Sequence, residues 1–274
     1  FQNNGALDKI EAFYNIEKNG VKVSDDVCDI FDERVRKHIS NGKLYSQYNL
    51  WTSTGRPSNS FGNVNFAALT KEQRKAFIPE NDYLVEFDFD AYHLRLIGEL
   101  VDYQFGEESV HQHLADFYES TYEESKQISF KLLYGGITDE IRKKVPFFDK
   151  VQDYINLKWI EFNERNSVST DIYYRRISIS NISDMNKNKL FNYLIQALET
   201  ERNIKRILAV QNYLNDKDTK LVLYGYDSFL FDFKKHDGVD TLTDIKNILE
   251  DGDYPTKIKM GYTYSSMNDI TKRL

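Results

Sequence analysis

The chain has 274 residues, 41% of them hydrophobic and 14% aromatic, with a formal net charge of −7. That length suits one large domain or two to three packed subdomains with a real core, and the acidic balance does not by itself predict a nucleic-acid binder. The single cysteine, Cys28, excludes a disulfide framework and a cysteine metal site and fits a reducing compartment such as the cytoplasm. No apolar run approaches the ~18 residues of a membrane span, and no signal peptide is visible.

In chain order, residues 6–40 read as helical, broken by a turn at 19–26 with Ser24 or Asp25 as N-cap. Residues 41–82 carry Gly42, Gly55, Pro57, Gly62 and Pro79 among many Asn and Ser, an irregular stretch long enough to suggest a function. "YLVEFDFD" (83–90) is a strand by its aromatic and β-branched content, and "AYHLRLIGELVDY" (91–103) turns at once to helical spacing. Helices follow over 108–118, 122–136 (ended by Gly135-Gly136) and 148–166, then a hairpin over 168–179 and one long helix over 189–216. "KLVLYGYDSFLFDF" (220–233) reads as two strands about a turn, and a helix near 239–250 and a strand over 257–264 close the chain. Helices and an antiparallel sheet are partly segregated, which predicts an α+β fold.

The strand at 83–90 poses a question, because strands tolerate acids poorly. Alternation puts Glu86, Asp88 and Asp90 on one face and Phe87 and Phe89 on the other. The aromatic face can pack on helices. The acidic face must meet water, a cation or a positive partner, since unpaired buried carboxylates are costly. A solvated sheet edge satisfies this equally well. Asp227 stands at the tip of a hairpin that is otherwise too apolar for the surface, although a turn-forming Asp is an ordinary occurrence. Two strand ends that each present an aspartate suit a hard cation such as Mg²⁺, and two such ions can clamp both oxygens of a phosphoryl transfer.

Tyr122, Lys126, Phe130 and Tyr134 recur every four residues. At about 100° per residue they fall within a roughly 120° face of one helix. Lys for phosphates and aromatics for base or sugar suit a nucleoside triphosphate. A core stripe with Lys126 snorkelling has the same spacing.

Taken together these stretches resemble the DNA polymerase I family (family A), in its phage-type branch, from about residue 45 to 266. "TSTGRPSN" (52–59) resembles the T-x-T-G-R-x-S-S segment, "DFDAYHLR" (88–95) motif A, "KQISFKLLYG" (126–135) motif B, "YDS" (226–228) motif C, and "FNYLIQALETE" (191–201) the helix between B and C. The resemblance implies a right-hand polymerase: an antiparallel palm sheet backed by helices, a mostly helical fingers subdomain and a truncated thumb. It divides the chain into residual thumb or connecting helices (1–47), first palm part (48–103), fingers (104–165) and second palm part (166–274). It implies two Mg²⁺ ions, with Mn²⁺ able to substitute, on Asp88, Asp227 and the backbone carbonyl of Phe89. Lys126 would contact the triphosphate and protonate the leaving pyrophosphate. Phe130 and Tyr134 would line the sugar and nascent base pair, with His93 and Tyr122 in the same nucleotide site. Arg56, Asn192, Gln196 and Tyr226 would meet primer–template DNA, and Arg175 and Arg176 match a paired-arginine segment.

The chain also departs from that pattern. His93 stands in place of the motif A Glu that excludes the ribose 2′-hydroxyl, Tyr122 in place of a phosphate-gripping Arg, and Ser228 in place of the motif C acid. Asp90 matches a Ser position and reads as an accessory acid. The short front predicts a core cut from a longer polymerase, or one that relies on a separate thumb, exonuclease or processivity partner. The leading expectation is a dNTP-using, template-directed DNA polymerase of phage replication in the host cytoplasm. A related single-subunit RNA polymerase or primase, a non-catalytic DNA-binding relic and a two-metal nuclease are the alternatives.

Overall fold

The computed structural model describes residues 5–59, 64–106, 109–182 and 184–274. Its elements run α1 (Ala6–Asn19), β1 (Val21–Val23), α2 (Glu33–Arg36), β2 (Lys43–Leu44), β3 (Phe77–Ile78), β4 (Tyr83–Phe89), α3 (Tyr92–Leu100), α4 (Val110–Tyr118), α5 (Tyr122–Gly135), α6 (Asp139–Lys144), α7 (Pro146–Arg165), β5 (Ser167–Ser169) and β6 (Arg176–Ser178). They continue with α8 (Lys187–Tyr213), β7 (Lys220–Tyr224), β8 (Ser228–Phe233), α9 (Val239–Glu250), β9 (Thr256–Thr263) and β10 (Ser266–Asp269). The chain forms two compact units, one of residues 1–52, 57–90 and 200–274, the other of 53–56 and 91–199.

The first unit is built on an antiparallel sheet in the order β10-β9-β4-β8-β7. β4 is central, with Phe87 opposite Phe229 on one side and Ile258 on the other. Its odd-numbered face is aromatic and dry: Phe87 meets Phe231 edge-on at 5.4 Å and Phe89 meets Phe229 at 5.7 Å. Tertiary burial of this kind outweighs the poor strand propensity of the intervening acids. On the even face, Leu84 joins a second core with Leu223, Leu230, Phe31, Phe66 and Phe77. That core is closed by a small sheet, β2-β1-β3.

The small sheet corrects the helical reading of residues 20–40. Gly20 leaves α1 with φ 62, a conformation open to glycine, and Val21 and Val23 then bury as β-branched strand residues. Their partners lie far along the chain, Val21 with Leu44 and Val23 with Phe77. What remains helical is a 3₁₀ turn over Asp25–Ile30 and one turn of α2, capped by Asp32 accepting from the Val35 amide at 3.0 Å. The strand read over 83–90 stops at Phe89, so Asp90 lies outside it, its amide donating to the Pro255 carbonyl.

The second unit is mainly helical. Leu94, Ile97, Leu114, Leu132, Phe147, Phe148 and Val151 form its core, and Phe162, Val168, Ile177 and Leu190 a second cluster under the β5–β6 hairpin. α4, α5, α7, α8 and α9, and strands β4, β7, β8 and β9, lie within a few residues of their sequence-based bounds.

Candidate active site

β4 delivers Asp88 half-buried at its C-terminal end, opposite Ser228 of β8. The Phe89 amide donates to the Asp227 carbonyl at 2.8 Å, which pins the end of β4 to the β7–β8 turn. Asp88 and Asp227 therefore stand at one polar cleft of about 310 Å³, with Glu86, Arg74, Lys259 and Tyr226 also in its walls. Burial first, then the charges of Asp227 and Glu86, push the Asp88 carboxyl up to about 6. Nearby cations offset part of this: Lys259 lies 3.7 Å from Glu86 and Lys257 2.9 Å from Asp90 just beyond the strand, and both also draw the Asp88 carboxyl down.

The turn that carries Asp227 is held in an unusual conformation. Tyr226 has φ 75, left-handed for a bulky residue, and such strain persists only where the surroundings enforce it. Asn203 of α8, 1% exposed, enforces it: its amide donates to the Tyr226 carbonyl at 2.8 Å and to the Tyr224 hydroxyl at 3.0 Å. On the sheet edge, the Tyr48 hydroxyl donates to the Tyr224 carbonyl and accepts from its amide, both at 3.0 Å. Sequence reasoning singled out neither residue. Both act through backbone groups far away in the chain, which leaves no local pattern.

In the second unit, α5 starts at a complete capping box, Thr121 with Glu124. It buries Ser125, Ser129, Leu132 and Leu133. The Tyr122–Lys126–Phe130–Tyr134 stripe lies on another face and is not core: Phe130 is 60% exposed and Tyr134 36%. Lys126 Nζ sits 4.5 Å from the centre of the Tyr122 ring and 3.7 Å from Glu123, and Phe130 and Tyr134 pack at 5.4 Å. Exposed aromatics beside a lysine make a surface that can stack on flat rings and meet anions.

A second group in this unit centres on Glu199 of α8, which is fully buried. Arg56 Nε lies 3.2 Å from one of its carboxylate oxygens and His93 Nε2 3.1 Å from the other. His93 Nδ1 is hydrogen-bonded to the Tyr134 hydroxyl at 2.7 Å. A buried carboxylate needs such compensation. Sequence reasoning passed over Glu199. An acid three residues after Gln196 in an apolar helix was the available signal.

Arg56 is presented by a turn at Gly55, whose φ of +82 favours glycine. A Cβ there would also meet the Arg175 side chain at 2.9 Å. Arg175 donates to the Ser53 carbonyl at 3.3 Å and so buttresses this turn, whereas Arg176 is exposed on β6. Asn192 and Gln196, one turn apart on α8, are both half-buried.

Among the described residues, no group of three or more His, Cys, Asp or Glu side chains is arranged to hold a metal ion. The cleft offers the Asp88 and Asp227 carboxylates. That donor pair fits a hard cation that takes few protein oxygens and completes its shell with water or phosphate. Such an ion would relieve the repulsion that raises the Asp88 carboxyl.

The chain shares its fold with a solved polymerase: the POL domain of Pol1 from M. smegmatis, determined in complex with DNA primer-template and dNTP. The TM-score is 0.72 at 15% sequence identity, and the match covers 86% of this chain and 50% of that one, so this chain spans about half the length of its neighbour. No family model matches the sequence, and no curated protein matches it. The fold is thus a polymerase-domain fold, α+β with antiparallel sheets and helices. No helix among the described residues is long and apolar enough to cross a membrane.

Proposed function

We propose that this protein is a template-directed DNA polymerase of the family A type, in its phage-type branch, that adds dNMP units to a primer 3′-hydroxyl and releases pyrophosphate. The observation that carries the reading is the meeting of Asp88, from the central strand, with Asp227, from the hairpin turn, at one polar cleft. The polymerase-domain fold and the order of the sequence motifs support it. In this reading the five-stranded sheet belongs to the palm, residues 104–165 are fingers, and residues 1–47 stand where a thumb would begin.

Asp88 and Asp227, with the Phe89 carbonyl, would hold two Mg²⁺ ions. When bound, such ions supply Lewis-acid activation of the primer hydroxyl and neutralise charge on the triphosphate. Lys126 would bind the triphosphate and hold at Nζ the proton that the leaving pyrophosphate takes. Phe130, Tyr134, Tyr122 and His93 would pack on sugar and base. Arg56, Asn192, Gln196, Tyr226, Arg175 and Arg176 would position primer–template, largely without regard to sequence because minor-groove acceptors are degenerate. Positioning and charge are most of what phosphoryl transfer asks of a protein.

Primer extension tests this. A labelled primer on a longer template is incubated with Mg²⁺ and dNTPs, then with rNTPs, beside Asp88→Asn and Asp227→Asn. Template-matched extension with dNTPs, lost in both variants, is expected. Extension with rNTPs alone would move the activity to RNA synthesis, and binding of primer–template without extension would reduce the protein to a DNA-binding relic.

A further inference from the structure

The first unit holds a second cavity, at the end of the large sheet away from Asp88. α9 buries Leu242, Ile245 and Leu249, yet its first turn leaves Val239 63% exposed. Between this turn and the far ends of β4 and β9 lies a cavity of about 640 Å³, within the range of ligand-binding clefts. Tyr83 lines it at the start of β4. Asp88 is five residues further along the strand, about 16 Å away and on the opposite face, so this cavity is separate from the acidic cleft. Its walls include the buried Phe233, Leu242 and Ile270. Tyr262, 66% exposed, stands at its rim, where its hydroxyl donates to that of Tyr83 at 3.0 Å and the two rings pack at 4.8 Å. Apolar surface left open in this way marks a place where something binds.

The charge around the cavity is one-sided. Lys235 and Arg273, both exposed, line it, and no acidic side chain does so among the described residues. The neighbouring Asp82 is taken up by the Lys235 amide at 2.8 Å and by Lys234 Nζ at 3.9 Å. In a chain of net charge −7 this is a local reversal of sign. We infer that the cavity docks an acidic segment of a protein partner, whose apolar side chain enters between α9 and the sheet while its carboxylates meet Lys235 and Arg273. Phe233, Leu242 and Ile270 offer no side-chain donor or acceptor to the edge of a nucleobase, whereas a Phe or Leu side chain asks for none. Ser266 and Asn268, exposed on the edge strand β10, stand where they can bond the backbone of such a segment. The docking site goes beyond the polymerase reading and does not depend on it.

Fluorescence anisotropy on the full chain tests this with the labelled peptides Asp-Asp-Phe-Asp-Asp and Asp-Asp-Leu-Asp-Asp. Saturable binding by at least one is expected at about 50 mM salt, and it should weaken severalfold at about 200 mM. A peptide with Ala at its centre, or with Lys in place of Asp, should bind about tenfold more weakly. So should the double variant Lys235→Glu with Arg273→Glu, and Ser266→Trp, which fills the mouth of the cavity. All three positions are exposed, so these variants keep the fold, as an unchanged melting temperature would verify. No saturation by either peptide at millimolar concentration would overturn the inference, and so would equal binding by the parent and the variants. Oligothymidylate binding lost in the same variants while peptide binding persists would assign the face to single-stranded nucleic acid instead. Self-association abolished by Ser266→Trp, without peptide binding, would assign it to a second copy of the chain. Primer extension without a partner should be the same in parent and variants, so a failure of the polymerase reading leaves this test standing.

Discussion

Asp88 is held where its charge is least welcome. Its carboxyl is raised from an ordinary 3.8 to about 6, by burial first and then by Asp227 and Glu86. A raised acid binds its proton more tightly in the folded chain than in the unfolded one. Without metal, stability is therefore fullest below about pH 4, falls as the pH rises to about 6, and stays low above that, by about 2–3 kcal/mol in all. Asp88→Asn should flatten this slope and raise the melting temperature of the metal-free protein at pH 7.5 while removing primer extension, a trade typical of strained sites. Millimolar Mg²⁺ should raise the melting temperature of the parent protein and leave Asp88→Asn unmoved, because an ion that binds only the native state stabilises it by mass action. Equal shifts in both proteins would place the ion elsewhere. Asn203 offers a parallel case without charge. Asn203→Ala removes the donor to the Tyr226 carbonyl and the Tyr224 hydroxyl, and should cost about 1–3 kcal/mol in urea unfolding. It should also slow extension, because the turn that carries Asp227 loses its tether.

At the scale of elements, α5 starts at the Thr121–Glu124 box, which satisfies the amides of its first turn. Thr121→Ala should lower stability by about 1 kcal/mol. If Lys126 and the rings that follow bind nucleotide, the variant should also raise KM for dNTP more than it lowers kcat, a comparison that steady-state kinetics makes directly. This helix was legible in the sequence because its four-residue stripe and terminal glycines lie close together, whereas its cap at Thr121 was not read. The long helix α8 was legible from its unbroken run, and strands β4, β7 and β8 from their apolar and aromatic content on either side of turn residues. The small sheet was not. Val21 and Val23 make a two-position signal whose meaning comes from Leu44 and Phe77, and "NGVKVSDD" reads as a turn as readily as a strand. The site divides in the same way. Asp88, Lys126 and Asp227 stood out by their settings, whereas Glu199 acquires its meaning only from Arg56 and His93, which lie over a hundred residues away.

Over the whole molecule, a net charge of −7 sets the terms on which any primer–template could be held. Binding must rely on local cations against a repulsive background. Its affinity should fall at least tenfold between about 50 and 200 mM salt, as fluorescence anisotropy with a labelled duplex would register. A flat salt response would argue against phosphate contacts by groups such as Arg176 and Lys126. The central place of β4 has a further consequence, in time rather than energy. Its amides are covered by β8 on one side and β9 on the other, and neither neighbour is an edge strand. The backbone of Val85–Phe87 can then trade its protons for deuterium only when the entire sheet comes apart, while β10 at the margin trades early. The residues that lead into Asp88 would be the slowest clock in the protein, still unlabelled long after the rest of the chain has exchanged.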